Sequence, residues 1–143
     1  MATKRMMMVA MGIGIWMGGT ALAVAAPGPL QQSIAHGKDL FTTAHFAGNG
    51  RTCNTCHKGE GRSPGMLPNG KKIPSLKNAA AIFPRYNKNA GMVLTLQQQV
   101  HRCVMGALKG TPPAYDSAEM TDLVSYLTSL SEGKKIRMGG APK

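Results

Sequence analysis

The stretch Cys53-Asn54-Thr55-Cys56-His57 decides how the rest of the chain is read. It has the pattern C-x-x-C-H, the attachment signature of c-type haem. The chemistry sets the spacing. Two thiols three positions apart lie on one helical turn, so both reach the vinyl groups of one haem and form thioether bonds. The next residue, His57, then falls beneath the ring and supplies the proximal nitrogen to iron. A bare C-x-x-C also suits zinc or a redox dithiol. Zinc needs a second ligand pair, and the only other cysteine is Cys103. A thioredoxin-like dithiol needs βαβ surroundings that the pattern of this chain does not provide. One haem c, held covalently by Cys53 and Cys56 with His57 on iron, is the expectation.

Composition agrees. The chain has 143 residues, enough for one domain, and only 5% are aromatic. So few large side chains make a thin core, and a buried haem supplies the missing apolar mass.

The first 25 residues are set apart. Lys4 and Arg5 precede an apolar run from Met6 to Ala25, and Ala23-Val24-Ala25 fits the A-x-A cleavage rule. The run is near the minimum for a membrane span. Gly12, Gly14, Gly18 and Gly19 together with the cleavage site favour a signal peptide over 1–25 and a mature domain over 26–143. Export to a bacterial periplasm, with no stable membrane anchor, follows and suits haem c attachment.

The formal charge is +11. Without Lys4 and Arg5 the chain keeps 15 basic and 6 acidic residues. Haem propionates offset up to two of the remaining positive charges. Such a surface attracts anions and acidic proteins. Export and haem argue against nucleic acid, the usual partner of a basic protein. The bases, among them Lys58, Arg62, Lys71, Lys72, Lys77, Arg85 and Lys88, read as scattered along the chain.

Apolar spacing predicts helices. Ser33 to Thr43 carries Ile34, Leu40 and Phe41 on one side, with Gly37 leaving a gap for close packing. Pro27 to Pro29 reads as a linker before it. Lys58 to Lys77 reads as a long loop round one haem edge. Within it, Ile73 to Leu76 crosses the proximal side, where a carbonyl would accept the second ring N–H of His57. Asn78 to Phe83 is a short helix stopped by Pro84. A further helix starts at Thr95 and carries Leu96, Val100, Cys103, Val104 and Ala107 on one face, ending at Gly110. The last helix is capped by Asp116 or Ser117 and buries Met120, Leu123, Val124, Leu127 and Leu130, with Gly133 as its stop. The segment from Ile136 to Lys143 reads as loosely ordered.

A second axial ligand has several candidates. Cys103 has no disulfide partner once haem takes the other two cysteines; buried free cysteine is also common as a small hydrophobe. The mature chain offers Met66, Met92, Met105, Met120 and Met138. Met120 belongs to a core stripe, and Met92 and Met105 stay open. His101 is a third choice, about 160° from Cys103 on an ideal helix.

Gly37-Lys38-Asp39-Leu40-Phe41, the haem motif and Leu123-Val124-Ser125-Tyr126-Leu127 together resemble a class I cytochrome c. The resemblance implies an all-α fold of three to five helices around one haem. It also implies that the first and last helices cross at a glycine–aromatic contact, here Gly37, Phe41 and Tyr126. A narrower likeness covers Phe83 to Tyr86, Thr95 to Cys103, Gly110, Ser117 to Met120 and Ser129 to Gly133. It is similar to the haem domains of thiosulfate dehydrogenase and of the SoxA sulfur-oxidation cytochrome. In that family the cysteine matching Cys103 is the distal ligand, and Arg85 is implied as a partner of its thiolate. Those proteins usually carry two cytochrome domains, whereas this chain has one C-x-x-C-H.

The expected function is a low-potential electron-transfer or redox subunit with histidine/cysteine ligation. It would work with a partner protein, such as another c-type cytochrome in a heterodimer. A thiolate is anionic and stabilises ferric iron, which lowers the potential; methionine does the reverse. One alternative is a subunit oxidising a sulfur anion such as thiosulfate. Another is a haem-based binder of nitric oxide or carbon monoxide.

Overall fold

The computed structural model describes residues 26–67 and 69–143. The signal segment expected over 1–25 lies outside them. Helix α1 spans Pro29–Thr43 and α5 spans Ala118–Ser129. Between them come α2 (Cys53–Cys56), the strands β1 (Gly65–Met66) and β2 (Lys72–Ile73), and α3 (Ala79–Ile82). Strands β3 (Arg85–Asn87) and β4 (Met92–Leu94) precede α4 (Leu96–Cys103), which runs into a π-helical turn, Val104–Leu108. The all-α architecture holds, with five α-helices among the described residues and two antiparallel two-stranded ribbons.

Helix α1 begins four residues before the expected Ser33, because Pro29 is part of the helix rather than linker. Proline at the first helical position gives up no intrahelical bond, and its fixed φ already suits the helix. Helix α1 packs across α5 at Gly37. A Cβ there would overlap the Asp122 carbonyl and stand 2.8 Å from Tyr126 Cβ. Only glycine lets the two backbones approach this closely. Phe41 meets Tyr126 edge-on, with ring centroids 5.5 Å apart. The Tyr126 hydroxyl donates to the Glu60 carbonyl at 2.7 Å, tying the crossing to the loop after the C-x-x-C-H stretch. The glycine–aromatic crossing is therefore present at Gly37, Phe41 and Tyr126. Ser117 caps α5 by accepting from the Met120 N–H at 3.2 Å. Met120, Leu123, Leu127 and Leu130 are buried in one core with Phe41, Tyr126 and Val100.

Thr95 caps α4 as expected. Its hydroxyl accepts from Gln98 N–H at 3.2 Å, and the Gln98 side chain accepts from Thr95 N–H at 2.9 Å. The apolar stripe of this helix departs from the expectation at its end. Ala107 is exposed and Leu108 is buried. The cause is the π-helical turn, in which Lys109 N–H reaches back five residues to the Val104 carbonyl. One extra residue per turn shifts the phase of the face.

The segment after Ile136 is not loose. Arg137 N–H donates to the Ala81 carbonyl at 2.6 Å, and Gly139 N–H donates to the carbonyls of Ile82 and Pro84 at 3.0 and 3.1 Å. Asn78 Nδ2 donates to the Ala141 carbonyl at 3.1 Å, and Ser75 Oγ to that of Lys143 at 2.7 Å. Periodicity has no purchase on this segment, since most of these bonds are made by backbone groups across a long sequence separation. It forms a strap over α3.

Candidate functional site

An apolar cavity of about 400 Å³ opens between α1, α4, α5 and the strap. Phe41, Leu76, Ile82, Val100, Leu123 and Leu127 are among its walls, and Pro142 of the strap reaches it. Three of the four residues singled out from sequence line it: Cys53, His57 and Cys103. Cys56 is half-buried on the same short helix as Cys53 but outside that lining.

Helix α2 forms because Thr52 and Thr55 close its first turn, with Thr52 N–H donating to Thr55 Oγ1 at 3.0 Å. Asn54 Oδ1 then accepts from Glu60 N–H at 2.9 Å and fixes the exit turn. His57 Nδ1 lies 3.3 Å from the Pro74 carbonyl. A carbonyl only accepts, so Nδ1 carries the hydrogen and the Nε2 lone pair is free. This is the carbonyl expected from Ile73 to Leu76. Burial lowers the His57 pKa, which favours the neutral ring that a metal requires, although the Pro74 carbonyl works in the opposite direction. Phe41 flanks the imidazole at 6.5 Å between centroids.

Burial pushes the Cys53 thiol up to about 12, and the nearby Cys103 sulfur adds to this. Cys103 is also raised by burial. The Gln99 amide opposes that rise, and so does the Arg102 charge, while Cys56 adds to it. The expected thiolate partner was Arg85. Its side chain lines the cavity, but it stands over the Phe83 ring at 5.9 Å, and the donor to Cys103 is Gln99 Nε2 at 3.2 Å from Sγ. Sequence held a signal for this: Gln99 is four residues before Cys103, so both occupy one helical face.

The other ligand candidates lie outside the apolar cavity, although Met105 borders a neighbouring cavity that Cys103 also lines. Among the described residues, no methionine lines the apolar cavity. Met120 is buried in the core, and Met92 and Met105 are each 49% exposed. Met66 and Met138 are exposed too. His101 stacks on Tyr115 with centroids 4.9 Å apart.

A second, more open cavity of about 730 Å³ shares Lys71, Pro74, Asn87, Gln99 and Cys103 with the first. Lys72 and Arg102 add charge to it, and among the described residues no carboxylate lines it. From Gly61 to Tyr115 there is no Asp or Glu, while that stretch carries eight Lys and Arg.

Residues 36–136 match the SoxA/TsdA cytochrome c domain. The chain belongs to that family. Its cofactor is covalently bound haem c. Curated relatives include a thiosulfate dehydrogenase of Allochromatium vinosum, 29% identical over 121 residues that cover 81% of this chain and 44% of the relative. A thiosulfate dehydrogenase of Stutzerimonas stutzeri is 33% identical over 70% of this chain and 32% of its own length. An L-cysteine S-thiosulfotransferase subunit SoxA of Pseudaminobacter salicylatoxidans is 24% identical over 80% of this chain and 35% of its own. The chain therefore spans less than half the length of these relatives. Among solved structures, thiosulfate dehydrogenase (TsdBA) from Marichromatium purpuratum aligns with a TM-score of 0.62 at 22% identity, covering 83% of this chain and 26% of that one. SoxXA from P. pantotrophus gives the same TM-score at 21% identity, over 77% and 36%. Both likenesses bear on the fold, which is that of a cytochrome c domain.

The residues present fit haem c. The cavity is apolar, as a porphyrin face requires. Its donors are sulfur and a neutral imidazole with one free nitrogen, and the thiol pair has the attachment spacing. Cys53 and Cys56 would hold the group covalently, with His57 and Cys103 as its iron ligands. Among the described residues, no helix is long and apolar enough to cross a membrane.

Proposed function

We propose that this chain is an exported, periplasmic monohaem cytochrome that exchanges electrons with a partner protein at low potential, with His57 and Cys103 on iron. Haem c, when bound, supplies a one-electron Fe(III)/Fe(II) couple. Everything else is done by the chain. Cys53 and Cys56 fix the group, Pro74 holds the imidazole in the tautomer that ligates, and Phe41, Leu123 and Leu127 keep water from the cavity. The observation that carries the reading is the lining of the cavity, where among the described residues Cys103 is the only sulfur besides Cys53. An anionic sulfur favours the ferric state and so lowers the potential. The partner would be an acidic protein, such as another c-type cytochrome, drawn to Lys71, Lys72 and Arg102 around the second cavity.

The test is the ferric spectrum of haem-loaded protein. Wild type should be low-spin, and Cys103→Ala should stay folded and haem-loaded but become five-coordinate or water-bound. An unchanged spectrum in Cys103→Ala rejects cysteine ligation. Intact mass of exported protein checks attachment of one haem and removal of residues 1–25.

A second reading is favoured by the open cavity beside Cys103. Lys71, Lys72 and Arg102 with no carboxylate suit a sulfur anion, and two of the relatives are named thiosulfate dehydrogenases. Steady-state thiosulfate oxidation by the purified chain with an added electron acceptor separates the two. Turnover would make it an enzyme; its absence at saturating thiosulfate leaves electron transfer.

A further inference from the structure

We propose that Gln99 is a tuning residue for the iron: held by Asn87, it donates one N–H to the Cys103 sulfur and raises the reduction potential above that of a bare histidine/thiolate pair. The inference rests on Cys103 as ligand. It goes beyond that reading by assigning the group that sets how strongly the ligand donates.

Three bonds in series carry it. The backbone N–H of Ala90, in the turn between β3 and β4, donates to Asn87 Oδ1 at 3.1 Å. That commits the Asn87 amide, whose Nδ2 donates to Gln99 Oε1 at 3.3 Å. Gln99 is committed in turn, so its Nε2 faces Cys103 Sγ at 3.2 Å. An isolated glutamine could turn either its oxygen or its nitrogen toward the sulfur. Here each amide is oriented by the one before, and the series starts from a backbone N–H that cannot reverse. The last link is therefore a donor. Asn87, Gln99 and Cys103 are half-buried and line both cavities, along the boundary between them.

A hydrogen bond to a metal-bound sulfur withdraws electron density from it. The bond to ferric iron loses more than the bond to ferrous iron, and the potential rises. The ribbon β3–β4 thereby gains a role that the helices alone do not explain. It pairs Asn87 with Met92 at its turn and places the Asn87 amide against α4.

The experiment uses haem-loaded exported protein. Gln99→Leu keeps bulk and removes the donor. Its midpoint potential should fall, the ratio of ferric to ferrous stability rising about tenfold, which for one electron is about 59 mV. The ferric low-spin g values should shift, because they report the axial field. Asn87→Ala leaves the sulfur and Gln99 in place but frees the glutamine to turn. It should shift both readouts in the same direction and by less. Gln99→His restores an N–H donor and should recover part of the loss. Cys103→Ala is run alongside. If it leaves the ferric spectrum unchanged, cysteine ligation fails and the tuning role fails with it. If it changes the spectrum while Gln99→Leu and Asn87→Ala leave potential and g values at wild type, ligation stands and the role of Gln99 is overturned. A stability loss in Gln99→Leu without those shifts also overturns it, since packing alone would produce that.

Discussion

The two walls of the cavity are built on different terms. The wall bearing His57 rests on close packing and backbone: α1 against α5 at Gly37, Phe41 beside the imidazole, and the Pro74 carbonyl on Nδ1. The wall bearing Cys103 rests on side-chain amides and faces an open, basic cavity. Packing and backbone fix a position rigidly and leave little to adjust. Side-chain donors fix less, yet a single substitution there removes the N–H that faces the Cys103 sulfur. A site that must hold its cofactor firmly and still set a potential can assign the two tasks to opposite walls.

The comparison is most easily broken at Gly37. Gly37→Leu forces a side chain into the Asp122 carbonyl and should destabilise the protein by about 3 kcal/mol, read by denaturant unfolding. Unchanged stability would mean that the helix crossing does not brace the His57 wall. Tyr126→Phe removes the hydroxyl that bonds the Glu60 carbonyl at 2.7 Å. The part-buried acceptor loses its partner, and about 1.5 kcal/mol should be lost. On the opposite wall, Thr95→Ala deletes the cap of α4 without touching the cavity. Its expected cost is about 1 kcal/mol. A loss exceeding that of Gly37→Leu would reverse the ranking of the two walls. The smallest effect belongs to Lys38→Ala. Its 3.0 Å pair with Glu60 is on the surface, with both side chains more than 40% exposed. Thermal melts should detect a change of no more than about 0.3 kcal/mol, and less at high salt.

Most of the His57 wall was legible in the sequence. Cys53, Cys56 and His57 announce themselves by spacing, Gly37 and Phe41 by their place in an amphipathic helix, and the Pro74 carbonyl by a short chain path from the motif. The Cys103 wall was legible only in part. Thr95 and Val100 follow local rules, and Cys103 stood out as the unpaired thiol. The ribbon β3–β4 was missed because strands of three residues are too short for a period of two to emerge. Gln99 was missed because its partner Asn87 comes from that ribbon. Ala107 was misplaced because a π-helical turn breaks the helical phase, and no residue type signals it. The basic lining of the second cavity was not legible, because Lys71 and Lys72 come from β2 and its approach while Arg102 comes from α4.

The strap has a consequence for exchange of amide hydrogens with solvent. Segments without helix or strand usually exchange as fast as their exposure allows. Here the amides of Arg137, Gly139 and Lys143 are bonded to α3 and its flanks, at Ala81, Ile82, Pro84 and Asn78. In deuterated water these three positions should therefore retain their protons far longer than the exposed side chains around them would suggest. Their slow loss would report opening of the cavity wall itself, a stretch of irregular chain serving as the clock for the helical domain.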